Sequence, residues 1–387
     1  QLRSDSALVF IGNLSLIDSS SSRAVTVDLT APTSSINTIP NPYLQGNTIQ
    51  ISGSASDMLS GVQRVDVTIT DAANQSGSSQ ATYNSVAGTW TFASGVLADG
   101  SYRLDVRATD LAGNQQAVPA TVTVHLDNQP PVTTINSFPQ NPSNSASPAF
   151  SFSSNELSTF VCTLDGVPVT CTSPKSYTGQ TTGTHTFTVQ ATDQAGNHEV
   201  NPPSYIWYLD LVSPSIAANT PANNATRVSI SNPNITVTFD KPVNPATVTT
   251  TTFSLTAGGV PVIGTVAVNS ANTVATFTPS APLLYATTYT ATVTTGIRDT
   301  AANALTAGRS WSFSTDPDGD INLDGRVDIA DALLALKVSV GRVTISATAL
   351  RHGDVAPLQT GSPLPDGIID GRDVMVILGK SIGKHNW

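Results

Sequence analysis

Glutamate is nearly absent from this chain: among 387 residues only Glu156 and Glu199 carry it, and charged residues of all kinds make up 11%. Such a composition is that of strand-and-turn modules in an extracellular setting and excludes a helical cytoplasmic enzyme. Lys and Arg are scarce too, 17 against 27 Asp and Glu, for a net charge of −10. Nucleic acid is therefore excluded as a partner, since phosphate binding rests on Lys and Arg clusters. An anionic membrane surface is disfavoured for the same reason. No run of eighteen apolar residues occurs, so no membrane span is expected.

Catalytic signatures are missing as well. The histidines at 125, 185, 198, 352 and 385 show no metal-ligand spacing, and Gly-x-Ser-x-Gly, a phosphate-binding glycine loop, His-Glu-x-x-His and Cys-x-x-Cys-His are all absent. The acids are mostly aspartates in turns, which disfavours a two-carboxylate glycosidase pair. No enzyme activity is expected. Cysteine occurs only at Cys162 and Cys171, where a turn around Asp165-Gly166 places the two on facing strands within reach of a disulfide. That pairing implies export to an oxidising compartment, with a pair of inert thiols as the alternative.

What the chain has in plenty is Gly (27) and Pro (25), with an apolar share of 39% that is ample for several small cores. Beginning at Gln1, it is expected to be a processed product or a fragment of something longer.

One stretch dictates a chemistry by spacing alone. From Asp320 to Asp331, oxygen-bearing side chains fall at positions 1, 3, 5, 9 and 12 of a twelve-residue loop: Asp320, Asn322, Asp324, Asp328 and Asp331. Gly325 takes the sharp turn at position 6 and Arg326 offers its carbonyl at position 7. Ca²⁺ takes six to eight oxygens, and a loop of this kind supplies them. The pattern recurs around Asp366, Gly367, the Ile368 carbonyl, Asp370 and Asp373, with Asp354 as first ligand. There Pro357 to Pro365 bulge out of the loop and Ala356 offers no side-chain oxygen, so the second site is expected to be distorted and weaker. Each copy runs into an apolar helix ending at Gly341 or Gly383, in which Leu333 and Leu336 correspond to Met375 and Leu378 and are expected to face the other helix.

This duplicated arrangement over residues 316–387 resembles a dockerin, a small calcium-binding module that in its family docks onto cohesin domains. The resemblance implies a protein partner, cohesin-like or another copy of the chain. Loop positions 10 and 11, which carry partner recognition in that family, are Ile329-Ala330 and Gly371-Arg372 here, so a standard cohesin partner does not carry over.

Upstream, the same punctuation appears three times. Asp28, Asp127 and Asp210 each end an alternating strand, with Pro32, Pro131 and Pro214 four residues on. A second signature, Asp-x-Ala-Gly-Asn after a period-2 strand, occurs at Asp110–Asn114 and Asp193–Asn197, with a looser echo at Asp299–Asn303. These units resemble tandem bacterial immunoglobulin-like (Ig-like) domains, the third resembling the domain of that kind found in S-layer proteins. Tyr102 suits a tyrosine corner, and His185 takes its place in the second unit.

The fold expected is mainly β: a tail of a preceding module or a donor strand at 1–30, Ig-like sandwiches at 31–130, 131–213 and 214–315, and a small α-helical dockerin-like module at 316–387. Asp57, Asp110 and Asp193 are read as caps of turn amides, with junctional Ca²⁺ as the sharper alternative. Asn13, Asn74, Asn224 and Asn234 are potential glycan acceptors. The function expected is a non-catalytic scaffold or adhesion protein, secreted and at the bacterial cell surface, with Ca²⁺ as its cofactor and surface polysaccharide as a possible ligand. The rivals are a self-assembling filament or sheath subunit and the accessory stalk of a secreted polysaccharide-degrading enzyme docked through cohesin.

Overall fold

The computed structural model describes residues 14–17, 24–230, 233–359 and 361–385. Of the segment 1–30 expected to be a preceding module's tail or a donor strand, residues 1–13, with the Asn13 acceptor, and 18–23 lie outside them, whereas Leu14–Ile17 and Ala24–Val27 pair as antiparallel strands. The chain divides into two compact units, one of Gln1–Phe138, Ala149–Lys175 and Thr186–Tyr205, the other of Pro139–Pro148, Ser176–His185 and Ile206–Trp387.

In the first unit, strand Gly100–Asp110 shows how alternation builds a sandwich. Tyr102, Leu104, Val106, Ala108 and Asp110 are buried while most of the residues between them reach outward. It pairs with Val62–Asp71 on one side and Ala120–Leu126 on the other. The facing sheet runs Thr33–Ile36, Gln50–Ser56, Thr89–Ala93, Thr82–Asn84. Between the two sheets lie Ile49, Val65, Val67, Trp90, Leu104, Val106 and Val124, all at most 1% exposed. Gly53 is required beneath Trp90, because a Cβ there would fall 1.9 Å from the Ser35 carbonyl oxygen and 2.5 Å from the indole. The Tyr102 hydroxyl donates to the Ala98 carbonyl at 2.9 Å, closing the expected corner.

The next sandwich contains the sheets Thr133–Ser137, Ala149–Ser154, Lys175–Ser176 and Val167–Cys171, Ser158–Leu164, Gly183–Asp193, Ser204–Leu209. Asp165 and Gly166 have φ of 50° and 83°, the left-handed pair that a two-residue hairpin demands, and Cys162 and Cys171 are bonded across that hairpin. His185 repeats the corner of Tyr102, with Nε2 2.8 Å from the Thr181 carbonyl oxygen, which keeps it structural. In the second unit a further sandwich stacks Ile216–Thr220, Ile235–Phe239, Val274–Pro279 and Gly264–Val268 against a sheet centred on Thr288–Val293 and Arg309–Thr315. Phe253, Leu255, Phe277, Trp311 and Phe313 fill it.

Three short helices follow, α1 (Ile329–Ser339), α2 (Ala347–Gly353) and α3 (Gly371–Ser381). Helices α1 and α3 are near copies. Each starts at a capping box, Asp328 with Asp331 and Asp370 with Asp373, in which each carboxylate takes a backbone amide of the other turn end. Each stops at a glycine with positive φ, Gly341 (73°) and Gly383 (75°), where the following amides, Arg342 to Lys337 O and Lys384 to Gly379 O, close a Schellman motif.

One sequence expectation fails here. Leu333, Leu336 and Met375 do not face the partner helix; they are 52%, 46% and 66% exposed. The inward stripe is set by the buried loop aspartates Asp331 and Asp373, so the residues near one turn on, Ala335 and Ile377, go inward with Ala332 and Val376. Helix α2, capped by Ser346, was not anticipated; its Ala349 joins Ile321, Val355, Ala356 and Ile369 in the shared core.

Candidate functional site

The two loops before α1 and α3 use the same backbone cage. In the first, Asp320 accepts the amides of Asp324 and Gly325 on its two oxygens (3.1 and 2.8 Å). In the second, Asp354 does the same for Asp366 and Gly367 (3.0 and 2.6 Å), although it lies twelve residues before Asp366 where Asp320 lies four before Asp324. The insertion is spent in a small hairpin, Leu358–Gln359 with Ser362–Pro363, that leaves the cage intact. Closing the loops, Asp331 accepts from Asn322 and Asp328, and Asp373 from Val355, Ala356 and Asp370. Gly325 and Gly367 have φ of 84° and 93°, which aims the chain so that Arg326 and Ile368 take the seventh position. Asn322 accepts the Asp324 amide at 2.8 Å, while Asp328 and Asp370 are tied up as helix caps.

Four of the loop acids are buried. Asp320, Asp331, Asp354 and Asp373 are at most 5% exposed. Burial, and then the Asp320 and Asp324 charges, push the Asp331 carboxyl above the usual aspartate range. Asp354 is raised by burial and by Asp366, and Asp373 by burial and by Asp354. Oxygen donors of one sign held together against their own repulsion fit a hard divalent cation. The loops also differ in charge: the Arg372 guanidinium reaches Asp366, and Asp370 at 2.7 Å, so two donors of the second loop already have a cationic partner.

A second constellation was only half read from sequence. Asp57, Asp110 and Asp193 do cap turns: Asp57 Oδ1 accepts the amides of Leu59, Ser60 and Gly61, Asp110 that of Asn114, and Asp193 those of Gly196 and Asn197. They also converge with acids from the strand ends. Asp28, Asp57 and Asp110 bring one carboxylate oxygen each within 4.8 Å of one another, and so do Asp127, Glu156 and Asp193. The asparagine of each Asp-x-Ala-Gly-Asn turn holds the linker in place: Asn114 donates to the Asp28 carbonyl (3.1 Å), Asn197 to that of Asp127 (2.9 Å) and Asn303 to that of Asp210 (2.8 Å). The missed members were Asp28, Asp127 and Glu156. For the two aspartates the signal was the threefold recurrence of both signatures, which are two halves of one junction; Glu156 lies in neither signature.

Residues 20–128 and residues 210–315 each match a family model described as a bacterial Ig-like domain. The chain carries two bacterial Ig-like domains. The first match begins ahead of the expected boundary at residue 31, taking in the strand Ala24–Val27 and Asp28. Among solved structures, a bacterial ice-binding adhesin studied for host cell surface retention is 16% identical, over 74% of this chain and 98% of its own, with a TM-score of 0.32. A Ca²⁺-stabilised ice-binding adhesin of an Antarctic bacterium is 18% identical over 79% and 81%, TM-score 0.30. Fibronectin(III)-like modules of Clostridium thermocellum CbhA are 16% identical over 46% and 94%, TM-score 0.29. Comparison with curated proteins gives no match. Among the described residues, no helix is long and apolar enough to cross a membrane.

Proposed function

We propose that the protein is a non-catalytic scaffold of the bacterial cell exterior, in which Ig-like sandwiches space a C-terminal dockerin-like module that Ca²⁺ folds and stiffens. The observation that carries this reading is the repeated cage: Asp320 and Asp354 take the same two amides, and Asp331 and Asp373 the same helix-start amide, despite an insertion in the second loop. Conserving that geometry through the insertion makes sense for a bound ion and not for a solvated turn. Asp320, Asn322, Asp324, Asp328, Asp331 and the Arg326 carbonyl would hold the first ion; Asp354, Asp366, Asp370, Asp373 and the Ile368 carbonyl would hold the second, more weakly because Arg372 competes for two of them. Calcium supplies the positive charge that lets these carboxylates stay ionised while buried.

The exposed apolar side chains of the paired helices, Leu333 and Leu336 on α1 and Met375 on α3, suit a protein partner for this module. The disulfide supports an oxidising, extracellular setting. Differential scanning calorimetry of the whole chain tests the reading. A site filled to a hundred times its dissociation constant stabilises by about 2.7 kcal/mol, so the transition of the C-terminal module should move up in calcium and down in EDTA; a module that melts alike in both refutes it.

A further inference from the structure

The three junctions have matching architecture but different charge. In each, a linker aspartate lies four residues before a proline, and the first strand after that proline pairs antiparallel with a later strand of its own sandwich. The register identifies equivalent residues: Thr33 lies opposite Ser56, Val132 exchanges hydrogen bonds with Asn155, and Ser215 with Asp240. The residue that follows the second member of each pair is Asp57, Glu156 and Lys241. The linker acids Asp28, Asp127 and Asp210 are likewise equivalent, as are Asp110, Asp193 and Asp299 at the head of their Asp-x-Ala turns.

At the third junction the cradle holds a cation. The Lys241 ammonium donates to Asp210 at 2.5 Å, to Asp299 at 2.8 Å and to the Val212 carbonyl at 2.7 Å, so all its protons are used. Asp240 is turned away to the Ser215 amide and hydroxyl. Burial works against the Lys241 charge, but the two carboxylates outweigh it and hold its pKa above the ordinary lysine value. At the first two junctions the same carboxylates, with a third acid in place of the lysine, point at one another within 4.8 Å. The Glu156 carboxylate accepts no hydrogen bond among the described residues, and burial followed by the Asp127 and Asp193 charges raises its pKa. The charges also match: three carboxylates with one divalent cation leave one negative charge, as do two carboxylates with one ammonium.

We propose that the Asp28–Asp57–Asp110 and Asp127–Glu156–Asp193 clusters each take a divalent cation, and that Lys241 is a built-in counter-ion standing in for that metal at the third junction. The chain then has two junctions that metal tightens and one that stays closed without it. The inference is independent of the C-terminal loops, because its readouts are local.

The test uses the full chain with Ca²⁺ alone as ligand, read by hydrogen exchange at each junction and by ion count in native mass spectrometry. In the unaltered protein, EDTA should raise exchange at least about tenfold around residues 28–33, 57–61, 127–132 and 191–199, and leave 210–215 and 297–303 unchanged. Lys241→Glu rebuilds the acid set of the second junction, so it should bind one more calcium ion and make 210–215 sensitive to EDTA. Glu156→Lys is the reverse exchange; it should bind one ion fewer and keep 127–132 protected in EDTA, and it stands as the test should Lys241→Glu fail to fold. Loosening of 210–215 in the unaltered protein by EDTA, an unchanged ion count in either variant, exposure of 127–132 in Glu156→Lys, or indifference of the first two junctions to EDTA would each overturn the proposal.

Discussion

Replacing Asn197 by alanine isolates what the Asp-x-Ala-Gly-Asn turn does. Its Nδ2 donates to the Asp127 carbonyl at 2.9 Å and to Asp193 Oδ2 at 2.7 Å, while its Oδ1 accepts from Gln45 Nε2 at 3.0 Å. A hydrogen bond to a charged group is worth about 1.5–3 kcal/mol and a neutral one about 1. The exposed Gln45 bond adds little, and Asn197 is half-buried, so water recovers part of the loss; the net cost is about 2–3 kcal/mol. That cost is local, since the cores on either side are untouched. Amides at 127–132 and 191–199 should therefore exchange faster by about 30- to 150-fold, at 1.4 kcal/mol per tenfold. Buried strands such as Leu104 to Val106 should keep their protection. Less than a threefold change in both segments would refute the claim that this asparagine ties the linker to the turn.

Gly53→Ala should be among the most damaging single changes in the first sandwich, because its Cβ would sit 1.9 Å from the Ser35 carbonyl oxygen and 2.5 Å from Trp90; a loss above about 3 kcal/mol is expected in denaturant unfolding. Reduction of Cys162–Cys171, nine residues apart, should cost about 2.7 kcal/mol from loop closure alone, read as a lowered melting temperature of that sandwich in reductant. Acidity should act oppositely on the metal-free and calcium-loaded C-terminal module. Without metal, Asp331, Asp354 and Asp373 have folded pKa values above their unfolded ones, so the native state binds more protons and stability rises as pH falls toward the ordinary aspartate range. With calcium the same acidification expels the ion and lowers the melting temperature; a module that loses stability on acidification in EDTA contradicts this.

Much of this was legible in the chain. Period-2 strands such as Gly100–Asp110, the hairpin turn at Asp165-Gly166, the disulfide, the Tyr102 corner and the twin loops all rest on local spacing, which one sequence displays. What escaped it depends on distance. Asn114 reaches the carbonyl of Asp28 across 86 residues, so no local pattern announces that linker and turn meet. The inward face of α1 and α3 escaped it because hydrophobicity favours Leu333 and Leu336, whereas the buried loop aspartates Asp331 and Asp373 fix which side goes inward. Helix α2 escaped because its seven residues are too few for an apolar period to show.

Crystals grown in calcium, with anomalous scattering recorded at a wavelength where that ion stands out, test the central claim most directly. The account predicts peaks inside both C-terminal cages, between Asp320, Asp324 and Asp331 and between Asp354, Asp366 and Asp373, the second weaker. Cages without peaks, with the density of their carboxylates turned out to solvent, would contradict it.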